Sequence, residues 1–327
     1  MNPALLVKYG YEAARIIPAL YKPYKSEIRL ALLGENTTLD EVAQEYFKRI
    51  NSTSVAKGFA GYLGLKISDI LTEGFEVDRE RRLNVGKNSI ILFSLNDIAD
   101  NILDRDLDEN DEREKFLESV FNATFRGLNG ISYQDTRYRS AMAHARAFYK
   151  VPEGKVNVEK VYERLIKLVI GQFGINDPEK ALKHGEALGA TCLDVIVALN
   201  KDITGVANSL RREAIMHLGS YAQILDDLVD IDEDLSQGSA TFPALYIKHE
   251  GDSAYSRREI KRIMLAKANK HLEEGSSLLD SPKSQEIFHA LADLLILKHY
   301  IYDFIVRITK SPLKSKLLTA TDVKASI

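Results

Sequence analysis

Six acids fall within the nine residues from Asp226 to Asp234, in the segment Tyr221-Ala-Gln-Ile-Leu-Asp-Asp-Leu-Val-Asp-Ile-Asp-Glu-Asp-Leu-Ser-Gln-Gly238. Ile224, Leu225, Leu228, Val229 and Ile231 are interleaved with them at helical spacing, which a purely solvated acidic run does not require. On a helix, Asp226, Asp230 and Asp234 occupy i, i+4 and i+8 and rise from neighbouring turns of one face. Carboxylates crowded in this way repel one another unless a cation neutralises them. The segment holds no His or Cys. Hard oxygen ligands alone suit Mg2+, which also takes water and substrate phosphate oxygens. Asp227 lies about 100° round the helix from Asp226 and is the weaker candidate of the group.

A second acidic segment lies upstream, Ile90-Ile-Leu-Phe-Ser-Leu-Asn-Asp-Ile-Ala-Asp-Asn-Ile-Leu-Asp-Arg105. Asp97, Asp100 and Asp104 stand at i, i+3 and i+7, while Ile91, Leu95, Ile98, Ile102 and Leu103 supply an apolar face. Either segment alone is a weak signal, with a charged surface helix or a polar helix end as the alternative. Together they supply two carboxylate stripes, each at the edge of an apolar face, which is what a two-walled metal cavity for a diphosphate needs. The polar run that follows, from Asp104 to Glu114, reads as a solvated loop, so Asp106, Asp108 and Asp111 are left out of the site.

The elements that must hold these stripes are helices. Strand signals are nearly absent, with no alternating runs joined by Asn-Gly or Asp-Gly turns. Periodicity predicts helices over 3–21, 25–33, 39–51, 54–72, 84–104, 111–127, 132–149, 157–173, 177–199, 205–232, 241–249, 256–278, 283–308 and 312–318. The breaks carry Pro or Gly, as at Val151-Pro-Glu-Gly154, Gly238 to Pro243 and Ser281-Pro282, and none is long enough for an interdomain linker. No repeat or low-complexity segment divides the chain, so residues 1–327 are expected to form a single all-α domain. Gly185 and Gly189 lie four apart on one predicted helix and leave one face bare, which fits close helix packing better than room for a ligand.

Composition narrows the function classes. Hydrophobic residues make up 45% and charged residues 28%, as in a globular protein with a large core. A net charge of −3 gives no electrostatic reason to expect a nucleic-acid partner. Cys192 is the only cysteine, so there is no intrachain disulfide and no thiolate metal cage, and its apolar neighbours mark it as a buried small residue. Met1 to Tyr24 carries Lys8, Glu12 and Arg15 and does not read as a signal peptide. The stretches Ala187 to Leu199 and Leu294 to Ile308 are too short or too interrupted to span a bilayer. The expected location is cytoplasmic, with peripheral membrane contact open to a protein that handles a greasy substrate.

The order of motifs resembles the class I isoprenoid synthase superfamily, and within it the large class IB terpene synthases of the tetraprenyl-β-curcumene synthase type. Their first motif, roughly Asp-Tyr-Leu-Asp-Asn-Leu-Cys-Asp-Arg, is similar to Asp97-Ile-Ala-Asp-Asn-Ile-Leu-Asp-Arg105. Their second, roughly Leu-Asp-Tyr-Phe-Ile-Asp-Gln-Glu-Glu-Asp, is similar to Leu225-Asp-Asp-Leu-Val-Asp-Ile-Asp-Glu-Asp234. Squalene and phytoene synthases resemble the chain at Asp100, Asp104, Gln223, Glu233-Asp234, Gly238 and Pro243. Chain-elongating synthases carry Asp-Leu-x-x-Gly-Lys-x-Thr-Leu-Pro, close to Asp234-Leu-Ser-Gln-Gly-Ser-Ala-Thr-Phe-Pro243, but Ser239 replaces the lysine and their Asp-Asp-x-x-Asp with Arg-Arg-Gly is missing.

The resemblance implies a helical bundle with a deep central pocket and one acidic motif on each side of its mouth. It implies Mg2+, three per site, held by Asp97, Asp100 and Asp104 on one side and by Asp226, Asp227, Asp230 and Asp234 on the other. Asp100, Asp104, Asp226 and Asp230 are the candidate catalytic residues. Arg105, Gln223, Arg137, Tyr138 and Arg307 are the candidate contacts to a linear isoprenyl diphosphate. Phe59, Tyr62, Phe93, Phe125, Tyr221 and Phe242 are candidate pocket-lining aromatics. The implied reaction is ionisation of the diphosphate with formation of a cyclic or linear terpene. Head-to-head condensation and a non-catalytic scaffold with this fold are the alternatives, and a homodimer is compatible with all three.

Overall fold

The computed structural model describes residues 3–33, 54–105, 107, 110–128, 136–151, 155–204 and 209–310. Among these residues there is no strand. The helices are α1 (Pro3–Leu33), α2 (Ser54–Leu71), α3 (Arg79–Arg105), α4 (Asn110–Phe121) continued by a π-helical turn (Asn122–Arg126), α5 (Thr136–Tyr149), α6 (Lys155–Gln172), α7 (Pro178–Thr204), α8 (Ser209–Val229), α9 (Ile231–Gln237), α10 (Phe242–Glu250), α11 (Ala254–Ser277) and α12 (Pro282–Lys310). The helices expected over 39–51 and 312–318 fall outside the described residues.

Two expected helices merge into α1, which runs through Pro18 and Pro23. Each proline removes a backbone donor and crowds the preceding turn. Tertiary burial outweighs this, because Leu20, Tyr21, Tyr24 and Ile28 are all buried in the common core. Tyr24 adds a hydroxyl contact of 2.9 Å to His144 Nε2 on α5. The expected helix 111–127 changes character at Asn122, where a wider turn begins and ends on Gly127 at φ 66°. That turn buries Phe125 against Phe121, Phe148 and Tyr162.

α7 holds the centre of the site region. It packs against α8 on one side and against α2, α3, α6 and α10 on others. Its approach to α8 is set by two glycines. A Cβ on Gly189 would collide with the Gly219 carbonyl oxygen and would lie 2.7 Å from Gln223 Cβ. A Cβ on Gly219 would in turn collide with the Gly189 carbonyl. The bare face read from the sequence is therefore a close helix crossing at Gly189.

α7 also carries a buried acid that the fold itself neutralises. Asp194 is 2% exposed and accepts from Arg164 of α6 at 2.6 Å and from Arg212 of α8 at 2.7 and 2.6 Å. Its role is to tie three helices together. Among the described residues no helix is long and apolar enough to cross a membrane.

Candidate diphosphate and metal site

The first acidic stripe is on α3. Ile91, Leu95, Ile102 and Leu103 are fully buried and Ile98 packs on the core, so the apolar face turns inward as its spacing predicts. Asp97 and Asp100 are exposed on the same helix. Asn96, next to them, accepts a 2.7 Å hydrogen bond from the buried Tyr162 hydroxyl of α6, which fixes the rotation of α3 at this level. The side chains of Asp104 and Arg105 lie outside the described residues, as do those of Arg137 and Arg307.

The second stripe spans α8 and α9 rather than one continuous helix. α8 stops at Val229, and Asp230 sits between the helices at φ −94°, ψ 13°. The helical spacing survives the break. The Asp230 backbone N–H donates to the Asp226 carbonyl at 3.0 Å, and the Asp234 N–H donates to the Asp230 carbonyl at 2.8 Å. Asp226, Asp230 and Asp234 are all half-buried and remain one turn apart.

Asp227 is not directed into solvent. It is buried, accepts a 2.8 Å hydrogen bond from Gln223 Nε2, and its Oδ2 would stand 3.3 Å from a Cβ on Gly185. The 100° offset therefore turns it towards α7, into the space Gly185 leaves. Burial pushes its carboxyl up to about 8, and the charges of Asp234, Asp226 and Asp230 add to the rise against the Gln223 hydrogen bond. Asp234 is raised to about 6, again chiefly by burial, while the Thr241 hydroxyl, donating at 2.8 Å, works in the opposite direction. The contrast with Asp194 is chemical. Asp194 is balanced by two guanidinium groups, whereas the groups that raise Asp227 include three further carboxylates.

One acid from each stripe bears electrostatically on Cys192 of α7. Burial pushes this thiol up to about 12, and the carboxylates of Asp100 and Asp226 both raise it further. Asp100 on α3 and Asp226 on α8 thus act on one sulfur from two helices that flank α7. Sequence reasoning marked Cys192 as a small buried residue. It is partly buried, and its position between the stripes left no mark in the local sequence. Thr241 was also missed, although the Gly238–Pro243 turn that contains it was singled out.

The other candidates divide. Gln223 faces Asp227. Tyr138 is half-buried with its ring edge-on to Phe116 at 5.5 Å. Of the aromatics, Tyr62, Phe125, Tyr221 and Phe242 are buried core, and Tyr62 donates to the Tyr9 carbonyl at 3.2 Å. Phe59 and Phe93 are only partly buried and pack against the core.

No protein-family model and no curated sequence matches the chain. Solved structures do. The geranylgeranyl pyrophosphate synthetase of the archaeon Geoglobus acetivorans matches with a TM-score of 0.56 and 16% identity, over 87% of this chain and 98% of that one. The heptaprenyl diphosphate synthase of Staphylococcus aureus matches with a TM-score of 0.54 and 13% identity, over 85% and 97%. At such identity these likenesses establish architecture alone. The chain has the all-α fold of the isoprenoid synthases.

Proposed function

We propose that the chain, folded as one domain, is a class I terpene or prenyl synthase that ionises a linear isoprenyl diphosphate between the two acidic stripes. The observation that carries this reading is that Asp100 and Asp226, far apart in the sequence, both bear electrostatically on Cys192 near the middle of α7. The fold shared with two enzymes named for prenyl diphosphate synthesis supports the substrate class.

The residues fit Mg2+. The donors are carboxylate oxygens with no imidazole in the two acidic segments, and Asp227 and Asp234 are both raised by burial and by neighbouring carboxylates, which added positive charge would offset. Asp97, Asp100 and Asp104 would hold metal on one wall, and Asp226, Asp230 and Asp234, with Asp227 behind them, on the other. Bound there, Mg2+ would supply Lewis-acid stabilisation of the departing diphosphate.

The chain's own part is to hold and exclude. The allylic C–O bond breaks and its electron pair leaves with the diphosphate. Gln223 orients Asp227 and keeps its carboxyl directed at the α7 wall. Thr241 tethers Asp234 to the start of α10. Apolar side chains around Phe59 and Phe93 would keep water from the cation that remains. Arg105, Arg137, Tyr138 and Arg307 are the proposed diphosphate contacts.

Incubation with farnesyl, geranylgeranyl and longer diphosphates, singly and in pairs, tests this by product analysis. Cyclic or linear hydrocarbons or alcohols from a single substrate support a terpene synthase. Products joining two chains head to head support the squalene or phytoene synthase-like alternative. Intact substrate in every incubation supports a scaffold without catalysis.

A further inference from the structure

We propose that His217, His271 and Glu274 form a binding site for a divalent transition-metal ion of the zinc type, joining α8 to α11 away from the acidic stripes. Their ligand atoms all lie within 4.8 Å of one another, the one such trio among the described residues. His217 Nδ1 is 2.9 Å from His271 Nδ1 and 3.9 Å from Glu274 Oε2. A tetrahedral ion with metal–nitrogen bonds of about 2.0–2.1 Å separates its ligands by roughly 3.3 Å. The three atoms therefore need only small side-chain rotations to enclose one ion and leave a fourth position for water.

The backbone favours this meeting. Gly275 sits beside the pair on α11, and a Cβ there would come within 2.9 Å of His217 Cβ and 3.2 Å of the Ala214 carbonyl oxygen. Glycine at this position lets α11 approach α8 where the two imidazoles face each other.

The second nitrogen of His271 is also provided for. Its Nε2 lies 3.2 Å from Oε1 of Glu186 on α7. When that nitrogen carries the proton and donates it to the carboxylate, Nδ1 presents a lone pair towards His217. A carboxylate behind a histidine in this way fixes the tautomer and strengthens the ligand. Without an ion, the facing Nδ1 atoms can share only one proton.

The charged groups nearby leave the site open. Lys270 Nζ lies 3.6 Å from Oε1 of Glu274, not from the oxygen that faces His217. Lys267 Nζ lies 3.5 Å from Glu186 Oε1 and so reaches the supporting carboxylate. Glu213 adds negative charge at His217. Imidazole nitrogens select zinc, copper, nickel or cobalt over magnesium, so this chemistry is distinct from that of the stripes. His217 stands nine residues before Asp226, about 13 Å along the axis of α8.

The test is titration of Zn2+ into chelator-stripped full-length protein by calorimetry. One equivalent should bind saturably. His217→Ala and His271→Ala should each abolish that equivalent, and Glu186→Gln should weaken it about 10–100-fold. Asp230→Ala should retain it in full. Cobalt substitution in the wild-type chain needs no variant, and it should give the intense visible absorption of a four-coordinate ion. The proposal is overturned by a cobalt spectrum identical to the aqueous ion, by Zn2+ uptake that survives both histidine substitutions, or by uptake lost in Asp230→Ala.

Discussion

Gly189 of α7 lies directly against the backbone of Gly219 on α8, with no space for a β-carbon on either residue. This contact sets how near the second acidic stripe stands to α7. A methyl at Gly189 must push α8 away or displace Gln223, whose Cβ would be 2.7 Å distant. Gly189→Ala should therefore lower stability by about 1–3 kcal/mol, as overpacking commonly does. It should also reduce activity beyond what the lost stability explains. Thermal melts and steady-state rates below the melting range check both. An unchanged melting temperature would mean that the helices are not in contact there.

The raised carboxyl of Asp227 makes a pH prediction. The unfolded chain releases this proton near 3.8, whereas the folded chain keeps it up to about 8. Between those values the folded state binds more protons, so metal-free stability should fall as pH rises. Asp234, raised to about 6, adds to the trend over the lower part of the window. Asp227→Asn should flatten the slope and raise the melting temperature at pH 8 by about 2–4 °C. Melts in chelator at pH 5.5 and pH 8 measure it. A stability that increases over this range in the wild-type chain, with Asp227→Asn unchanged, would contradict the buried neutral carboxyl.

Asp100→Ala and Asp230→Ala should each lower turnover on the order of 100-fold or more, since each removes a carboxylate that would hold Mg2+ against the diphosphate. Neither should unfold the protein, because Asp100 is exposed and Asp230 stands among other acids. Melting temperatures within about 2 °C of wild type are expected. A collapse of stability in either variant would assign that residue a structural role.

The turn from Gly238 to Thr241 should respond to ligand. Gly238 adopts φ 71° and ends α9, and Thr241 reaches back to Asp234. Charge neutralised at Asp234 changes the acceptor that holds this turn. Hydrogen exchange over 235–243 should slow when Mg2+ and a diphosphate are both present. Equal exchange with and without them would move the closing element elsewhere.

Much of this arrangement was legible in the residues. The apolar period gave the helices, and Ile91, Leu95, Ile102 and Leu103 are buried where that period puts them. The i, i+4, i+8 relation of Asp226, Asp230 and Asp234 holds despite the break at Asp230, because the backbone hydrogen bonds carry the spacing across it. Local signals failed where tertiary contacts decide. Pro23 falls between the expected helices 3–21 and 25–33 but lies within α1, since the burial of Tyr24 and Ile28 outweighs the lost hydrogen bond. Asp227 read as turned away from the site. Only the vacancy at Gly185, on another helix, reveals where it goes. The meeting of His217 with His271 joins two helices and has no signature in either.

The central claim is that the two acidic stripes act together on an isoprenyl diphosphate. Release of inorganic diphosphate from geranylgeranyl diphosphate, and from shorter and longer homologues, tests it most directly. The account predicts release with Mg2+, none in excess chelator, recovery when Mg2+ is restored, and loss in both Asp100→Ala and Asp226→Ala. Release that continues in chelator, or that survives removal of either stripe's acid, would contradict it.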